Sequence, residues 1–85
     1  MNRFKKNIVI QPTKKSFYLL NLFTNEVFQL NDTSYFICTL LINGKDDSNI
    51  IKELSDNYEI DTETAKIDFL DLKKFLLKND AMEEC

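Results

Sequence analysis

The chain has 85 residues, 44% of them hydrophobic and 12% aromatic, a make-up that suits one small folded domain and excludes a disordered segment. One Gly and one Pro leave no glycine-rich phosphate loop or proline-rich linker, and the lack of any His removes the commonest general base and metal ligand. Fourteen acidic against eleven basic residues give a net charge of −3, a field that repels the phosphates of nucleic acid.

The opening residues, with Arg3, Lys5 and Lys6, are expected to fray. Residues 7–11 form a short β-branched run stopped by Pro12, the first predicted strand. Lys14 and Lys15 turn the chain, and Phe17–Asn21 is the second strand, whose unbroken apolar character predicts cover on both faces. Asn25 can take a left-handed turn position almost as readily as a glycine. Glu26–Leu30 is the third strand, with Phe28 and Leu30 on one face and Val27 and Gln29 on the other.

Asn31 is a good helix N-cap, and Leu30 before it can staple onto Tyr35, four residues after the cap. The first helix follows at once, apolar on more than one side through Tyr35, Phe36, Ile37, Cys38, Leu40, Leu41 and Ile42, and Gly44 stops it. Asp46 or Asp47 caps a second helix with the stripe Ile50, Ile51, Leu54 and Tyr58. Asp61 opens a third, with Glu63 in its first turn and a core stripe of Ala65, Phe69, Leu72 and Leu76. Beside that stripe lie Ile67, Leu70 and Leu77 among Lys66, Lys73 and Lys74, more apolar surface than a solvated flank requires. Residues 79–85 are polar and acidic and are expected to fray, leaving an ordered core over about residues 7–79 of a single domain spanning 1–85.

The pattern predicts an α+β fold in which a three-stranded antiparallel sheet precedes a three-helix bundle, an order similar to a winged helix-turn-helix. Cys38 falls in an apolar run and reads as core, whereas Cys85 ends an acidic tail, so a disulfide between them is not expected. No apolar run reaches the ~18 residues of a membrane span, and the N-terminus lacks a signal peptide's long apolar stretch, which points to the cytoplasm.

Duplex DNA would meet the first turns of helix three, and these carry Asp61, Glu63 and Asp68 beside the single Lys66. The same acidic residues could be imagined around a metal, but caps and solvated helix faces routinely carry them, and nothing supplies a nucleophile or a preorganised ligand set. No catalytic residue, cofactor or metal is therefore expected. In a three-stranded meander the outer side of strand three exposes amides and carbonyls. A peptide adding there would gain main-chain hydrogen bonds, with Leu70 and Leu77 as pockets and Lys66, Lys73 and Lys74 for acidic side chains. Self-association or the N-terminal segment could equally cover that edge, and periodicity leaves the choice open.

The stretch LLNLFTNEVFQLNDTSYFICTLLINGKDDSNIIKEL resembles the PqqD family, the small domain also called the RiPP precursor recognition element. Thr24-Asn25-Glu26 stands for the family's T-G-E turn, Leu30-Asn31-Asp32-Thr33 for its L-N-x-T cap, and Ile37 through Gly44 for its I-W-x-L-L-x-x-G helix. Asp68-Phe69, Leu72 and Leu76 follow the last helix of the pattern. The similarity spans residues 17–82, with Cys38 in place of the usual Trp, Asn25 of the turn Gly, Lys73 of an apolar residue and Asp80 of a late Gly.

The resemblance implies a non-catalytic module that holds the leader of a ribosomally made precursor peptide for a separate maturation enzyme, such as a lasso-peptide leader protease or a radical SAM enzyme. It implies that the leader adds as a strand along Glu26, Val27, Phe28, Gln29 and Leu30 and lies against Lys66, Phe69, Leu70, Lys73 and Leu77 of helix three. A monomer or weak homodimer is expected, with no nucleic acid or membrane as partner. The alternative is a winged-helix DNA-binding regulator, which predicts salt-dependent duplex binding.

Overall fold

The structure, a computed structural model, describes residues 2–84, so the expectation about Cys85 lies outside the described residues. Its elements run β1 (Asn2–Phe4), β2 (Ile8–Pro12), β3 (Phe17–Asn21), β4 (Glu26–Leu30), α1 (Asp32–Ile42), α2 (Asp47–Tyr58), α3 (Thr62–Lys78) and β5 (Met82–Glu84). The three predicted strands are β2, β3 and β4, an antiparallel sheet in that order followed by three helices, which is the expected α+β fold.

The hairpin is built around one buried amide. Asn21 Oδ1 accepts from Asn7 Nδ2 at 2.8 Å, from Phe23 N–H at 3.0 Å and from Thr24 N–H at 3.3 Å, which folds the chain back on itself. Asn25 then takes φ 62°, the left-handed position expected of it. Leu19 pairs with Phe28 and Leu20 with Val27, so Leu19, Phe28 and Leu30 share the inner face, where Leu19 and Leu30 are buried. Asn7 itself precedes β2, and Pro12 closes that strand, as an edge position allows.

Each helix starts on an asparagine or aspartate side chain. Asn31 accepts from Ser34 N–H at 2.7 Å, Asp46 from Asn49 N–H at 2.8 Å and Asp61 from Thr64 N–H at 2.7 Å. The backbone N–H of Thr64, then its hydroxyl, hold the Asp61 carboxyl below the usual aspartate range. Helix α1 ends in a Schellman turn, with Gly44 at φ 77° and Lys45 N–H bonded to Leu40 O at 3.1 Å. Helix α3 ends the same way with Asp80 at φ 57° in the place of a glycine, Ala81 N–H reaching Leu76 O at 2.9 Å. The ring of Phe17 stacks on Tyr35, centroids 4.0 Å apart, and locks the sheet to the start of α1.

The two ends, whose polarity predicts fraying, are paired with each other in the structure. Residues 2–4 and 82–84 pair as an antiparallel ribbon, Phe4 opposite Met82, and Lys5 N–H donates to Ala81 O at 3.0 Å. The physical reason is burial: Ala81 and Met82 close the core, and the left-handed turn at Asp80 aims them into it. Lys5 forms an ion pair with Asp80, and Arg3 one with Glu83 at 3.4 Å. Short polar segments hide this pairing because only Ala81, Met82 and the partly buried Phe4 carry the burial. The central helix places Ile37, Cys38, Leu40 and Leu41 in the same core with Ile50, Leu54, Phe69 and Leu76. Cys38 is fully enclosed, and burial pushes its thiol up to about 12.

Candidate peptide-binding groove

Strand β4 has β3 on one side, and among the described residues no strand pairs with its other side. Its side chains alternate as a half-buried strand must: Phe28 and Leu30 turn inward, while Glu26, Val27 and Gln29 are exposed. Because Asn31 caps α1 immediately after Leu30, the strand cannot continue past that point, and its end is held at a fixed place beside the helices.

A cleft of about 420 Å³ opens there. Gln29, Leu30 and Asn31 form one wall, Thr33, Ser34 and Ile37 of α1 the end, and Asp68, Asp71, Leu72 and Phe75 of α3 the opposite wall. Phe28 meets Phe75 edge-on, ring centroids 5.1 Å apart at 89°, and ties β4 to α3. Asp68 and Asp71 are the ionisable groups of the lining, and neither carboxylate is in a salt bridge among the described residues.

The strand residues named from sequence are where an added strand would need them, with Gln29 and Leu30 at the cleft and Glu26 and Val27 towards the hairpin. The Leu30 side chain belongs to the core, so its backbone is what it could offer. The helix residues fall elsewhere. Phe69 is wholly buried in the core. Leu70, Lys73 and Leu77 line a second, shallower depression of about 380 Å³ with Ile67, Asp71 and Lys74, and Lys66 lines neither. Lys73 is turned towards α2, its Nζ 3.2 Å from Asp47 Oδ2 and 5.9 Å from the centre of the Phe69 ring.

The α3 wall of the cleft is made of residues that the sequence did not single out for a peptide, Asp68, Asp71, Leu72 and Phe75. A helix with the core stripe Ala65, Phe69, Leu72 and Leu76 has two flanks, one through Lys66, Leu70, Lys73 and Leu77 and the other through Asp68, Asp71 and Phe75. Only the packing direction of α3 says which flank meets β4. The signal in the sequence was Phe75, a large aromatic outside the stripe that needs cover of its own.

No group of three or more metal-ligating side chains gathers among the described residues, and no described helix is long and apolar enough to cross a membrane. Residues 16–80 match the family model described as Coenzyme PQQ synthesis protein D (PqqD). A structure of a lasso peptide synthetase B1 complexed with the leader peptide is 26% identical, covers 98% of this chain and 98% of that one, and superposes with a TM-score of 0.89. A structure of TbiB1 in complex with the TbiA(beta) leader peptide is 24% identical over 98% of this chain and 96% of that one, with a TM-score of 0.88, a likeness of fold. No curated protein matches.

Proposed function

The chain belongs to the PqqD family, and on that premise we propose that it is a leader-peptide-binding module, a RiPP precursor recognition element, that captures a precursor peptide by strand addition to β4. The observation that carries the reading is the open side of β4 beside a cleft walled by α3. A strand laid there would complete hydrogen bonds that the edge leaves to water, while Leu72 and Phe75 receive its apolar side chains. The similarity to a leader-bound lasso peptide synthetase B1 supports the same reading.

The module acts without catalysis of its own, presenting the core of the precursor to a separate maturation enzyme in the cytoplasm, such as a lasso-peptide leader protease or a radical SAM enzyme. It works as a monomer or weak homodimer. Duplex DNA is a poorer fit, since the exposed start of α3 carries Asp61, Glu63 and Asp68.

A titration of isotope-labelled chain with a synthetic lasso-precursor leader peptide tests the reading. Amides of residues 26–31 and 68–75 should shift, and shifts confined elsewhere at high micromolar peptide would overturn it.

A further inference from the structure

The groove is one-sided in charge. Asp68 and Asp71 stand one helical turn apart on its α3 wall, both exposed, with no basic residue in the lining. The lysines of the same helix are placed elsewhere: Lys73 against Asp47, and Lys74 on the second depression. In an added strand every second side chain turns the same way, at a spacing of roughly 6.6 Å, while Asp68 and Asp71 are separated by about 4.5 Å of helix rise. One side chain of such a strand can therefore reach both carboxylates.

An apolar or acidic side chain at that position would take two carboxylates partly out of water with no partner, or set like charges together. A lysine or arginine would gain charge-assisted hydrogen bonds from both. We propose that the groove selects an extended peptide carrying Lys or Arg at the position facing Asp68 and Asp71. This rests on the groove being the leader site. It reverses the preference for acidic side chains that the lysines of helix three suggest from sequence, because none of those lysines lines the groove, although Asp71 also borders the second depression with Lys73 and Lys74.

A displayed library of random 15-residue peptides, selected on the full chain at low salt, provides the probe. Enriched peptides should share one basic residue in a fixed register, and resynthesised winners should shift the β4 amides. Replacing that residue with norleucine should weaken binding to the wild-type chain about three- to tenfold, for one or two partly desolvated pairs, and less than about twofold to the D68N/D71N variant. The variant D71K should bind the glutamate version of the peptide better than the lysine version. If the double substitution unfolds the chain, D68N and D71N singly carry the same comparison, since both side chains are exposed. Peptides that shift β4 amides with no basic preference, or an equal loss on wild type and variant, would overturn this inference alone. If no peptide shifts β4, the leader-binding reading fails and this inference with it.

Discussion

Phe28 on β4 and Phe75 on α3 meet edge to face, 5.1 Å between ring centroids and 89° between planes, and this pair ties the strand to the helix that walls the groove. Both rings are partly buried against the core, so the contact joins the sheet to the helix, and Phe75 stands in the α3 wall of the cleft. Phe75→Ala removes a ring from that wall and leaves Phe28 without its partner. We expect a loss of about 2–3 kcal/mol in chemical denaturation, below the full cost of a wholly buried Phe. Peptide affinity should fall further than in Phe75→Leu, which keeps most of the volume, and equal affinities of the two variants would show that the ring does not shape the groove.

Glu59 ends α2 in the left-handed region, at φ 53°, where a side chain crowds the backbone and a glycine would not. Ile60 N–H still reaches Ser55 O at 3.2 Å, so the turn itself is intact. Glu59→Gly should raise stability by about 0.5–1 kcal/mol, read as a higher denaturation midpoint with an unchanged slope. Asp80→Gly should gain less, because Asp80 also pairs with Lys5.

Much of this architecture was legible in local chemistry. The caps at Asn31 and Asp61, the left-handed Asn25 and the stop at Gly44 each follow from one side chain and its own backbone, so a linear reading finds them. What it could not find depends on partners distant in sequence. The buried bond between Asn7 and Asn21 and the pairing of the two chain ends rest on contacts 14 and 75 or more residues apart, made by residues that look like surface. The flank of α3 that meets β4 is hidden for the same reason: Asp68, Asp71 and Phe75 are as compatible with a solvated face as Lys66 and Leu70 until the helix is placed.

Met82 is the residue that makes the last strand part of the fold. It is 3% exposed, sits opposite Phe4 and packs in the core with Ala81. Met82→Ala should cost about 2–4 kcal/mol, and a stop codon after Asn79 more, since it also removes the β1 pairing. Hydrogen exchange should then rise at Lys5, whose amide donates to Ala81 O. A truncated chain as stable as the full one would place these residues outside the cooperative unit.

Cys38 gives the fold an alkaline limit. Its thiol is enclosed in the core and burial moves it from 9.0 to about 12, so the folded chain keeps it neutral over a range where the unfolded chain ionises it. The unfolded state therefore binds fewer protons between those values. Stability from this group is complete below about pH 9 and declines as pH rises towards 12. The comparison that isolates this thiol is between the wild-type chain and Cys38→Ala. The substitution should lower stability at pH 7 by about 1–2 kcal/mol through the lost sulfur contacts, yet flatten the decline above pH 9. In a Cys85→Ser background, a thiol reagent at pH 8 should leave Cys38 unmodified until denaturant unfolds the chain, with a labelling rate that follows the unfolded fraction.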